Sequence, residues 1–246
     1  MGEYSTSGWW YYFIMAFLVK TPIATMVFLV ISLVLYGRKI LERAWMNELF
    51  LLIPAATIFG FFSLNHQSIG LRYILPVYPF LFVFASRAAQ SFLSNKMLTG
   101  LSVALIGWYV GASCYIHPHY LAFFNELAGG PDNGYKYLVD SNLDWGQDLK
   151  GLKSYMQKHG IARINLSYFG TDSPARYGIS YDWLPSYGLP NPDPEKHKFV
   201  PKGWVAISAT SLQGVYLGDS DIYAWFRERK PVAKIGYSIF IYKMDD

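Results

Sequence analysis

Four apolar runs crowd the first 116 residues: Pro22 to Tyr36, Leu49 to Leu64, Ile74 to about Leu93, and Leu98 to Ile116. A helix needs about 20 apolar residues to cross the hydrocarbon core of a bilayer, and flanking aromatic and small polar residues bring these runs close to that length. The same 116 residues hold seven Lys or Arg and three Asp or Glu, whereas the remainder holds fourteen of each. Four consecutive segments so poor in charge exceed what the buried helices of a soluble core supply. The expected fold is therefore an α-helical membrane region with about four transmembrane helices, at 22–36, 49–64, 74–93 and 98–116, followed by a small extracytoplasmic α/β domain over 117–246.

The basic residues set an orientation. Arg38, Lys39, Arg43, Arg87 and Lys96, five of the seven in this half, flank the same side. By the positive-inside rule that side is cytoplasmic. The N-terminal stretch, the loop "NHQSIGLRY" and everything from His117 onward then face outward, with "GWWYYF" as an aromatic belt. No basic n-region and no small-residue cleavage site mark a signal peptide, so if residues 1–21 lie outside, either a preceding segment carried them there, the chain being a fragment of a longer membrane protein, or the short tail crosses on its own. The net charge of +4 resides wholly in the apolar half, which argues against a nucleic-acid partner. The single Cys114 has no partner for a disulfide within the chain.

From His117 onward the pattern is that of an α/β domain. "HYLAFFNELAGG" places Leu121, Phe124 and Leu127 at helical spacing before a Gly pair, which predicts an interfacial helix. "KYLVDSN" reads as a short extended run. In "SNLDWGQDLKGLKSYM", Ser141, Asn142 and Asp144 compete for an N-cap, and Asp148 favours the helix dipole. Trp145, Leu149, Leu152 and Met156 fall on one apolar face of a helix that Gly160 closes. Strands are expected in "ARINLSYFG" and "WVAISAT", a helix over Asp221 to Arg229, and a final strand or hairpin in "AKIGYSIFIYKM". The Pro-, Gly- and Tyr-rich segment between "SYFG" and "WVAISAT" reads as a long ordered loop.

Common nucleotide, metal and hydrolase motifs are missing. No cofactor is evident, and a divalent metal is compatible with the sequence. Polar residues at the outer face remain as candidates. Arg72 stands just before the third apolar run, with His66 upstream of it; a guanidinium there either grips a lipid phosphate bidentately or snorkels as an interfacial anchor. Lys20, in "AFLVKTP", precedes a Pro suited to the first turn of a helix. It offers the same two readings. In the outer domain, Asp140, Asp144 and Gln147 are either parts of a capped helix start or contacts for a glycan acceptor.

"GWWYYFIMAFLVKTP", "LRYILPVYPFLFVFASRAA", "NELAGGPDNGYKYLVDSNLDWGQDLKGLKSYM", "SYFGTDSPARYGI" and "ISATSLQGVYL" together resemble the C-terminal part of bacterial GT-C membrane glycosyltransferases of the protein O-mannosyltransferase and aminoarabinose transferase type. That resemblance implies an enzyme of the bacterial inner membrane that moves a sugar, with inversion, from a polyprenyl-phosphate carrier to a lipid, glycan or protein acceptor. It implies that Arg72, in the family's "RY…P" element, and Lys20, in its "KTP" element, bind the lipid phosphate; His66, by its position upstream of Arg72, is a further candidate for the same phosphate. It further implies an acidic base in a first outward loop upstream of the part that this chain resembles. Two other readings stand beside it: a non-catalytic membrane protein whose outer domain binds glycans or a partner, and, more distantly, a transporter. The lack of intramembrane ionisable residues weighs against transport.

Overall fold

Apolar residues run almost without interruption through the first half, and backbone breaks divide them into helices. A computed structural model describes residues 8–37, 46–65, 69–86, 88–89, 92, 95–187, 201–217 and 221–244. Helix α1 (Tyr12–Lys20) stops at Thr21, whose extended backbone precedes Pro22, and α2 (Ile23–Gly37) follows. A residue before proline is pushed out of the helical region, and the two axes differ by 109° across this break. Next come α3 (Met46–Leu64), with Pro54 inside it, a 3-10 turn at Leu71–Ile74, and α4 (Val77–Ser86). In α5 (Lys96–Ile116), Asn95 caps the start, its Oδ1 accepting from the backbone N–H groups of Met97 and Leu98 at 2.9 and 3.4 Å.

These helices belong to the first of two units, residues 1–120 with 124–130; residues 121–123 with 131–246 form the second. Phe13, Ala55, Ile74 and Val77 form a core between α1, α3, the 71–74 turn and α4. Ser32 Oγ on α2 donates to the Ala85 carbonyl on α4 at 3.0 Å. The outside of the unit is apolar as well: Phe50, Val103 and Met97 are 78%, 65% and 76% exposed. Only 11% of the most apolar window of α5 is buried, whereas the core helix of a soluble protein is mostly buried.

By length and apolarity among the described residues, α5 can cross a membrane alone, and α1 with α2 can count as one bent span. The structure thus supports one or two spans where the sequence suggested four. The difference is one of length, because residues 48–64 and α4 fall among the shorter apolar helices. Nor does the expected interfacial helix form: "HYLAFFNELAGG" makes two single 3-10 turns, Tyr120–Ala122 and Glu126–Ala128. Asn125 interrupts it. Its Oδ1 accepts from Leu127 and Ala128 N–H, and its Nδ2 donates to the carbonyls of Leu18 and Thr21 at 2.6 and 2.8 Å. Carbonyls at the end of α1, which lack partners within the helix, are satisfied in this way.

The second unit is built on a five-stranded mixed sheet of order β2-β1-β3-β5-β4. β1 (Ile164–Ser167) lies parallel to both β2 (Tyr181–Trp183) and β3 (Gly203–Ser208), while β5 (Ile239–Met244) is antiparallel to β3 and to β4 (Ala233–Ile235). Alternation assigns the faces. Ile164, Leu166, Ala206, Ile239 and Ile241 pack under α6 (Leu149–Lys158), which contributes Leu149, Leu152 and Met156. On the opposite face Phe240 and Tyr242 meet Tyr135 and Phe226, with ring centroids 4.7 and 4.8 Å apart. Covered on both sides, the centre of β3 is wholly apolar, as strands buried on both faces are.

α6 begins later than the cap residues suggested. Asp140–Asn142 form a 3-10 turn, Gly146 takes φ +73°, and Asp148 occupies the N-cap position without a side-chain cap bond. The left-handed glycine ends any helix that would run through it. Trp145 therefore lies outside the helix and is 50% exposed instead of joining the apolar face.

Candidate functional site

Two places hold the residues singled out in the sequence. In the first unit, Lys20 is the last residue of α1 and stacks its Nζ 4.2 Å from the centre of the Phe124 ring. Its neighbour Thr21 shares a 2.7 Å hydrogen bond with the Tyr78 hydroxyl at the start of α4. Arg72 is exposed in the 71–74 turn that packs on α1, and its guanidinium lies 5.1 Å from the Tyr73 ring. Between α2, α4 and α5 opens a cleft of about 560 Å³, lined by Phe28, Phe82, Phe92, Val103, Ile106 and Tyr109 among others. His66 lies outside the described residues.

In the second unit the loop 140–148 meets the ends of β1 and β3. These are adjacent parallel strands from which the chain departs to opposite sides, β1 to β2 at one edge and β3 to β4 at the other. A crevice at the carboxyl ends of parallel strands, where the order reverses, is the usual ligand position of such sheets. Thr210, two residues past β3, ties the Asp140 backbone to the Asp144 carboxylate: its Oγ1 accepts from Asp140 N–H at 3.0 Å and donates to Asp144 Oδ2 at 3.2 Å. Asp144 Oδ1 accepts from Gly146 N–H at 3.2 Å. At 1% exposure, Asp144 is sealed from solvent. Burial pushes its carboxyl up to about 7, against the hydrogen bonds from Gly146, Thr210 and Ser208 that favour the charged form.

Asp140 differs from Asp144 in being only half-buried, and its Oδ2 accepts a 2.6 Å hydrogen bond from the Tyr216 hydroxyl. Gln147 is exposed but already engaged: its Oε1 accepts from Trp145 N–H, and its Nε2 donates to the Leu143 carbonyl and to Asp148 Oδ2. It braces the loop. The structure thus joins Asp140 and Asp144 through Thr210 and places Gln147 in a separate network with Asp148 and Ser238, whose Oγ donates to Asp148 Oδ2 at 2.6 Å. Behind the loop Tyr168 donates to the Gly146 carbonyl at 2.8 Å. Gly146 and Gly170 pack so closely there that a Cβ on Gly146 would stand 2.9 Å from the Gly170 Cα. Burial, and then the charges of Asp144 and Asp172, push the Tyr168 phenol up.

Thr210 and Tyr216 were not singled out from the sequence as site residues. They lie in "ISATSLQGVYL", whose residue types mark no chemistry, and only the placement of β3 beside β1 brings them to the loop. Among the described residues, no three His, Cys, Asp or Glu side chains converge to hold a metal ion.

Comparison with curated proteins and with solved structures gives no match. A family model does match: that of the Alg9-like mannosyltransferase family, over residues 2–137. The matched residues include Lys20, Arg72 and Asn125 and end before Asp140. They make up more than half of the 246-residue chain, which therefore belongs to the Alg9-like mannosyltransferase family.

Proposed function

We propose that the chain serves a membrane glycosyltransferase reaction in which a sugar leaves a polyprenyl-phosphate carrier for a lipid, glycan or protein acceptor. The observation that carries this reading is the family match over 2–137, which contains both candidate cations on elements packed against each other. Departure of the carrier phosphate concentrates negative charge on its oxygens, and preorganised cations at that place lower the barrier. Lys20 and Arg72 supply them, Arg72 by a bidentate contact and Lys20 as a point charge, and His66, a few residues before Arg72 in the sequence, is proposed as a third phosphate-binding group. The cleft between α2, α4 and α5 offers the apolar wall that an isoprenoid tail needs.

In this reading the apolar helices lie in a bacterial inner membrane and the sheet unit is extracytoplasmic. The reaction resembles those of the protein O-mannosyltransferase and aminoarabinose transferase type. Asp140 contacts the acceptor, held in place by Thr210 and the buried Asp144.

Binding of a short polyprenyl phosphate to the full chain in nanodiscs tests the donor half. Arg72→Ala and Lys20→Ala are each expected to weaken binding by about ten-fold, the equivalent of one charge-assisted contact. Unchanged binding in the double variant removes the proposed phosphate site.

A further inference from the structure

Two residues with strained backbones face each other across the carboxyl ends of β1 and β3. Asp140 has φ +53° and Tyr216 has φ +67°, and the Tyr216 hydroxyl donates to Asp140 Oδ2. Left-handed backbone is uncommon outside glycine, and for a bulky residue such as tyrosine it persists only where the surroundings enforce it. The one other such residue among the described ones is Tyr237, which follows Gly236 (φ +57°) in the tight turn from β4 to β5. Hairpin twist explains Tyr237. No hairpin explains Asp140 or Tyr216.

The strain at Tyr216 holds its ring in an aromatic group. Phe169, two residues past β1, lies parallel to it, with centroids 5.8 Å apart and 6° between planes. Tyr187 meets both rings at steep angles, with centroids 5.7 Å from Phe169 and 5.0 Å from Tyr216. These rings are not core: Tyr216 is 49% and Tyr187 60% exposed. Asp140 places a carboxylate at the edge of the platform. Its charge disfavours a phosphate or any other anionic ligand there, and its oxygens accept from hydroxyl donors. An exposed aromatic face beside a carboxylate fits a neutral ring with an apolar C–H face and a rim of hydroxyls.

We infer that Phe169, Tyr187, Tyr216 and Asp140 form a saccharide subsite, in which a neutral pyranose stacks on the rings and donates a hydroxyl to Asp140. All four residues lie beyond the family match, and the inference deepens the acceptor half of the proposed function, on which it rests. Asp144 and Thr210 are positioning residues that fix the Asp140 backbone.

Saturation-transfer NMR on the full chain in detergent, with mannotriose as probe and irradiation of aromatic protons, tests it. Transfer to the C–H protons of one pyranose face is expected. Tyr216→Ala should lower affinity about ten-fold, and Tyr216→Phe, which keeps the ring and loses the hydroxyl held by Asp140, should lower it less. Near-UV circular dichroism establishes that each variant is folded; should Tyr216→Ala unfold, Tyr187→Ala at the exposed rim takes its place. Absence of transfer at millimolar mannotriose, or equal transfer in wild type and folded ring variants, overturns the subsite. Polyprenyl phosphate binding on the same preparation separates the two ideas. Phosphate binding without mannotriose transfer overturns the subsite alone, whereas ring-dependent transfer without phosphate binding supports the subsite and overturns the donor reading.

Discussion

Asp144 carries its charge state as a stability term. Its carboxyl is held near 7 when folded and titrates near 3.8 when exposed, so between those values the folded chain keeps a proton that the unfolded chain releases. The group's contribution is complete below pH 3.8 and is lost as pH rises through about 7. At 1.36 kcal/mol per pKa unit, the loss is roughly 4 kcal/mol. Urea unfolding followed by near-UV circular dichroism should show the sheet unit losing stability between pH 4 and 8. Asp144→Asn, which keeps an acceptor for Thr210, should flatten that slope; parallel slopes would refute the assignment. Asn125 makes a second residue-scale case. Its side chain satisfies two carbonyls and two N–H groups, and Asn125→Ala should cost about 2–4 kcal/mol by leaving them unpaired, measured as thermal unfolding of the detergent-solubilised chain.

Helix α6 shows what was legible at the scale of elements. Leu149, Leu152 and Met156 are spaced for one apolar face, and the structure buries all three. Leu152→Ala should therefore cost about 2–5 kcal/mol in the same urea titration, since the site is closed on every side. The start of the helix was misread because "SNLD" offers good cap residues, while the conformation of Gly146 is set by the close approach of Gly170 and Tyr168, far along the chain. β2 was hidden for a different reason. It is a three-residue edge strand, mostly exposed, without an alternating pattern, inside a segment rich in Pro and Gly. The final hairpin was open to sequence reading, but not the contact that fixes it: a Cβ on Gly236 would stand 2.1 Å from the Asp148 carboxylate. Gly236→Ala should accordingly destabilise the sheet unit by more than about 1 kcal/mol, the ordinary cost of alanine at positive φ. A smaller loss would show that the loop yields.

At the scale of the molecule, the division into an apolar helical part and a mixed-sheet part follows from charge density, which any reading of the sequence detects. The number of spans does not, because helix length depends on where the backbone breaks, as at Thr21–Pro22. Lys20 and Arg72 stand out as candidates in "KTP" and "LRY", whereas the aromatic platform has no such mark in the sequence: Phe169, Tyr187 and Tyr216 belong to three separate connections. The central claim is that the helical unit holds a polyprenyl phosphate. Photo-crosslinking of the full chain in nanodiscs with a polyprenyl phosphate carrying a diazirine in its tail tests it most directly. Label is expected on peptides that line the cleft, around Phe28, Phe82 and Ile106, and should fall when unlabelled polyprenyl phosphate competes. Label confined to residues 131–244, or label in the helices that the competitor leaves unchanged, would contradict it.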